Sequence, residues 1–403
     1  MESVSSAVPI PHAERVVASD GGKALAGFML SGFLMAFLGA ILPAWGYHRD
    51  PPDFVAVGNY FLSLGIGIVA GSVAARSIMA RRSVAFLLVF ACGISCLALV
   101  YLAFVAPPAS TWLRVAGLVA LGSGAGLLNM ALFYAISSRY QADAAATVNL
   151  GGAWYGLGCL AATLLVAAMV YADSPRVILV CMALLPAGFA AIYARRPLAI
   201  AQPANQPDLR QAVQDFRSLG AILFALLLFI QFGNEWSIAG WLPVFLLHRI
   251  RGVSADQALL ILAFYWLCLM TGRLLAVMIL PSIRHGRLLL GSVASALFGC
   301  CMLYLTDNWF GATMGAFFLG CGYASIYPLV AEAIGRRFPY YHPGFFNGIF
   351  SLALLGGLIA PASLGYAASA LGVGVVVGIP LIGTCLVMVL LLLIWLESKV
   401  TGR

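Results

Sequence analysis

Charge is scarce in this sequence. Asp, Glu, Lys and Arg make up 9% of its 403 residues while apolar residues make up 63%, a balance that leaves a water-exposed fold without a polar surface. Paired CxxC spacings are also missing. The nine cysteines all fall inside apolar runs, where they read as small hydrophobes, and the five histidines lie outside or at the edges of those runs. No metal centre, haem or other cofactor is expected. No Ser/His/Asp or Cys/His set falls within one compartment, so an enzyme is not expected. A small-residue cleavage site after a short apolar core is absent too, and the first apolar run is expected to be a retained helix.

What is present is a series of apolar runs long enough to cross a bilayer. Windows of about 20 residues predict twelve spans, at 24–46, 54–75, 83–106, 112–136, 146–171, 175–194, 219–247, 257–281, 287–305, 309–334, 345–370 and 372–396. Lys and Arg are unevenly shared between the loops. With both termini inside, Arg15, Lys23, Arg76, Arg81, Arg82, Arg195, Arg196, Arg336 and Arg337 are among those on the cytoplasmic side, while Arg49, Arg114, Arg176, Arg249 and Arg251 fall outside. That asymmetry predicts a multi-pass protein of the cytoplasmic (inner) membrane with both termini in the cytoplasm. It also accounts for the net charge of +8, leaving no basic patch for nucleic acid.

The chain divides six spans against six. A cytoplasmic segment at 1–23 precedes a first bundle at 24–194; a polar, Pro- and Gln-rich linker at 195–218 leads to a second bundle at 219–397 and a tail at 398–403. The bundles repeat. Gly122 and Gly124 recur 198 positions on as Gly320 and Gly322, Arg139 as Arg337, Asn149 as Asn347 and Gly158 as Gly356; Pro43, His48 and Arg49 recur 200 positions on as Pro243, His248 and Arg249. Two parallel six-helix repeats joined by a cytoplasmic loop define an all-α membrane protein of the major facilitator architecture, in which solute sits at mid-depth between the halves. The repeated glycines suit close helix packing, with ligand contact as the other reading.

One acid stands apart. Glu235 lies within about 3 Å of mid-depth in the seventh span, where an ionised group facing lipid is costly, so it is expected to face the interior. Gln231, Asn234, Glu235, Ile238 and Trp241 recur at helical spacing. Together they offer amides, a titratable acid and an indole, a set suited to a hydroxylated ligand. Alternatively Glu235 is satisfied by a neighbouring helix without touching a ligand, and Trp241 belongs to an interfacial belt. Further solute-binding candidates near mid-depth are Asn129 and Tyr327, which occupy equivalent repeat positions, with Asn149, Trp154, Tyr265, Trp266 and Asn347. Arg273 sits about 7 Å to the cytoplasmic side of its span's midpoint. It is expected to be too low for a direct pair with Glu235 and to brace a cytoplasmic gate or a helix end, with solute contact as the other reading; Arg76 is expected to act in a gate.

The runs GNEWSIAGWLPVFLL, FYWLCLMTGRLL, GCGYASIYPLVAEA and NGIFSLALLGGLIAP resemble the seventh, eighth, tenth and eleventh helices of the fucose/proton symporter branch of the major facilitator superfamily. The resemblance implies a proton-coupled sugar carrier with a central cavity. The chain departs from the superfamily pattern after the second span, where Gly71 leads to Ala75, Arg76, Arg81 and Arg82 without an aspartate, and no carboxylate falls in the first or fourth span. The expected function is secondary transport of a small polar solute, a sugar foremost, with protons carried on Glu235. A proton-coupled exporter of drugs or other amphiphiles is the alternative. Expected partners are the solute, protons and the lipid bilayer, with the chain acting as a monomer.

Overall fold

The structure is a computed structural model that describes residues 12–49, 52–142, 144–171, 174–196, 198, 218–279, 284–337 and 348–401. Asn347 and nearly all of the linker at 195–218 lie outside the described residues. Among those residues there are twelve long helices and no strand. They are α1 His12–Ala44, α2 Phe54–Met79, α3 Val84–Phe104, α4 Thr111–Ala142, α5 Ala144–Met169 and α6 Pro175–Arg195 in the first half. The second half holds α7 Leu219–Arg249, α8 Ala255–Ile279, α9 His285–Leu305, α10 Trp309–Arg337, α11 Gly348–Leu371 and α12 Val375–Thr401. Each contains a stretch long and apolar enough to span a bilayer, so the protein is a multi-pass membrane protein.

Local sequence sets the helix ends. Asp53, Ser83, Ser174 and Ser218 each accept a hydrogen bond from a backbone N–H of the first turn they precede, satisfying donors that the helix leaves open. At the face away from the termini, here called the distal face, Gly46, Gly252 and Gly372 turn the chain with φ of 82°, 79° and 86°, a conformation that only glycine adopts without strain.

Each half follows the same plan. α1 packs on α5, α2 on α4 and α3 on α6, just as α7 packs on α11, α8 on α10 and α9 on α12. The repeated glycines make these contacts. A Cβ on Gly158 would collide with the carbonyl oxygen of Met29, and one on Gly356 with that of Phe229. Likewise Gly122 abuts the Leu64 carbonyl on α2 and Gly320 the Tyr265 carbonyl on α8. The glycines are therefore packing positions, where a missing side chain lets backbones touch.

The halves meet along α1–α7, α2–α11 and α5–α8. The outer helices expose apolar surface to lipid. Only 33% of the most apolar stretch of α6, α9 and α12 is buried, against 83% for α1. Trp112, Tyr171, Trp309 and Phe310 are exposed near the distal ends of their helices, and Trp395 near the end of α12, in keeping with aromatic belts at two interfaces.

Candidate functional site

Between the halves lies a cavity of about 40 Å³, room for about three waters at 10–15 Å³ each. Met35 of α1, Phe61 of α2, Tyr155 of α5, Trp236 of α7, Trp266 of α8 and Leu358 of α11 are among its walls, and among the described residues no charged side chain lines it. Toward the distal face it is roofed by close crossings between the halves. A Cβ on Gly39 would lie 2.6 Å from the Ala239 carbonyl oxygen, and one on Gly58 2.7 Å from that of Ala362. Trp241 stacks on Phe61 and donates from its indole nitrogen to the Pro361 carbonyl at 2.9 Å. Two hydrogen bonds span the halves farther out, from Tyr171 to Asp256 and from Tyr366 to Asn59.

Beside the cavity lies a buried ion pair. Arg273 Nη2 donates to Glu235 Oε1 at 3.3 Å, with both side chains under a tenth exposed. Arg273 Nη1 also donates to the Gly152 carbonyl of the other half at 3.2 Å. The expectation that Arg273 lies too low to meet Glu235 is corrected. Helical rise measures backbone depth, whereas an arginine side chain extends a further turn of helix and carries its charge to where a partner lowers the cost of burial. Tyr155, Cys159 and Tyr265 lie within electrostatic reach of the pair.

The polar face of α7 does not line the cavity. Trp236, Ala239 and Gly240 do, and at about 100° per residue the arc holding Gln231, Asn234, Glu235, Ile238 and Trp241 points to the other side of the helix. Four helices share that arc. Glu235 meets α8, Asn234 donates to Thr384 of α12 at 3.4 Å, and Trp241 meets α11 and α2. Gln231 is fully buried, and neither its amide nitrogen nor its amide oxygen makes a hydrogen bond among the described residues. The same holds for the Tyr265 hydroxyl and the Trp266 indole nitrogen.

Of the residues expected to meet solute, Trp266 is a cavity wall and Tyr265 packs edge-on against it. Asn129 accepts a hydrogen bond from Ser31 inside the first half, and Tyr327 packs edge-on against Phe232 inside the second. Asn149 is buried and Trp154 half-buried on α5, and Arg76 is half-buried in the last turn of α2. Met35, Phe61, Tyr155 and Trp236 are cavity residues that sequence reasoning missed, since an apolar or aromatic residue in a span carries no signal of which face it serves. Arg114, counted among the outside charges, is also 4% exposed. It donates to the Tyr60 hydroxyl at 2.7 Å and the Ala109 carbonyl at 2.6 Å.

No protein-family model and no curated protein sequence matches the chain. Solved structures do. A mutant of the nucleoside transporter NupG aligns with a TM-score of 0.72 at 15% identity, over 92% of this chain and 99% of that one. The xylose transporter XylE from E. coli, in a partially occluded inward open conformation, gives 0.72 at 15% identity over 93% and 97%. A mutant of the E. coli fucose:proton symporter FucP gives 0.63 at 15% identity over 94% and 99%. With twelve spans in two six-helix halves, the chain has the fold of the major facilitator superfamily transporters.

Proposed function

We propose that this protein is a secondary active transporter that moves a small hydroxylated solute of sugar size by alternating access, with Glu235 as the group that carries the proton. The observation that carries this reading is the chain from Glu235 through Arg273 to the Gly152 carbonyl, a charge pair in one half anchored on the backbone of the other. When Glu235 is ionised it holds Arg273 in place across the halves. Protonation removes that hold, which links proton binding to the α5–α8 contact. The aromatic walls Trp236, Trp266 and Tyr155 suit the C–H face of a sugar ring. The likeness in fold to xylose, fucose and nucleoside carriers supports the same solute size.

Flux into proteoliposomes across sugars, nucleosides, amino acids and dyes, with an imposed pH gradient, tests this. Glu235→Gln, which mimics the protonated acid, is expected to retain solute exchange and lose accumulation driven by the pH gradient. Unchanged accumulation in that variant would make Glu235 structural. A second reading, export of amphiphilic compounds, draws on the apolar cavity wall and predicts competition by unrelated lipophilic cations.

The Lys/Arg asymmetry supports a cytoplasmic-membrane protein with the termini and the linker inside. A single cysteine placed at Gln206 should then resist impermeant thiol reagents applied to intact cells, and labelling from outside would reverse the topology.

A further inference from the structure

Resting on the transport reading, we propose that the solute is an anion, a hydroxylated carboxylate of sugar size, which crosses with one proton in an electroneutral step. Charge balance in the buried site points to it. Glu235 and Arg273 are 4% and 7% exposed, and the titratable groups named around them, Tyr155 and Cys159 on α5 and Tyr265 on α8, are neutral at pH 7 by their ordinary values. Ionised Glu235 and Arg273 sum to zero, so the empty carrier can close over them. A protonated Glu235 leaves the arginine as an uncompensated charge in a dry interior, and arginine does not release its own proton. A neutral sugar arriving with the proton leaves that charge in place. A carboxylate cancels it.

The donor geometry offers a place for the carboxylate. Nε of Arg273 is buried and donates to nothing among the described residues, while Nη2 holds Glu235 Oε1. These two nitrogens form one edge of the guanidinium. Once Glu235 takes up a proton, that edge presents two parallel N–H groups, the arrangement that a carboxylate binds in bidentate fashion. The pair is not itself a cavity wall, but it lies next to two of them along the chain: Trp236 directly follows Glu235, and Tyr155 lies one turn beyond Gly152.

The test is uptake by the full chain in proteoliposomes with the interior more alkaline by about one pH unit and the membrane potential clamped at zero or at about 100 mV, negative inside. D-gluconate, D-glucuronate and D-galacturonate are compared with D-glucose, L-fucose and inosine. At least one acid is expected to accumulate, approaching tenfold, at a rate that hardly changes between the two clamps. Accumulation of a neutral sugar or nucleoside with an inward current that grows with potential, and of no acid, would overturn the proposal while leaving transport standing. If nothing in either set moves but an amino acid or a dye does, this proposal falls and transport stands; if nothing in the whole panel moves, both fall. Glu235→Gln fixes the site at one positive charge and is expected to exchange the acid at a rate independent of pH. Arg273→Lys keeps the charge but loses the edge, and the apparent affinity for the acid should fall at least tenfold. The double substitution Glu235→Gln with Arg273→Gln keeps the site neutral and should abolish the preference for acids. A double variant that still selects acids as the parent does would refute the role given to Arg273.

Discussion

Arg273 of α8 donates to the carbonyl oxygen of Gly152 on α5 at 3.2 Å, and it has room to do so because residue 152 lacks a side chain. A Cβ at that position would lie 2.8 Å from Nη1 and 2.9 Å from Cδ of Arg273. Gly152→Ala is therefore expected to displace the guanidinium and cost about 1–3 kcal/mol, as overpacking does elsewhere. The loss should appear in thermal unfolding in detergent and in weaker accumulation driven by a pH gradient. Gly93→Ala, at a site with no neighbour within 4 Å, should leave both unchanged.

Two bonds near the distal face join the halves through helices that the repeat relates. Tyr171, just past the end of α5, donates to Asp256 at the start of α8 at 2.6 Å, and Tyr366 near the end of α11 donates to Asn59 near the start of α2. Both bonds must break for the distal face to open. Each is exposed and contributes about 0.5 kcal/mol, the low end for a hydrogen bond. Tyr171→Phe and Tyr366→Phe should each raise the population open at the distal face roughly twofold, read as faster labelling of a cysteine placed at the cavity wall residue Met35. Unaltered labelling in the double variant would show that the aromatic and glycine crossings alone hold that face shut.

Near the distal face, His48 lies half-buried in the loop after α1. Burial, then Arg49 and His248, hold its pKa below the ordinary histidine value of 6.5. The unfolded chain therefore binds more protons than the folded one as pH falls through 6.5, and stability drops on the acid side. The contribution is fully present above 6.5 and is lost as pH falls toward the folded-state value. His48→Gln should flatten the decline in unfolding temperature between about pH 7.5 and pH 5. A decline as steep as in the parent would assign the acid sensitivity to other groups.

The sequence by itself determined the number of spans and the six-plus-six division, because hydropathy and helix length are local properties that a bilayer enforces on each segment alone. It also marked Gly122, Gly158, Gly320 and Gly356 as packing positions, since a repeat at a fixed offset preserves the places where backbones touch, and it placed Glu235 inside, since lipid excludes the charge. Only the tertiary structure decided which side of α7 meets the cavity. Trp236, Ala239 and Gly240 face it while Gln231, Asn234 and Glu235 turn to α8 and α12, a choice that follows from how the neighbouring helices are arranged around α7 and from nothing in α7's own periodicity. The partner of Glu235 was equally beyond reach. Arg273 is 38 residues away and on another helix, and what brings the two charges together is the crossing of α7 and α8 and the length of an arginine side chain, neither of which is written in the spacing of residues along the chain.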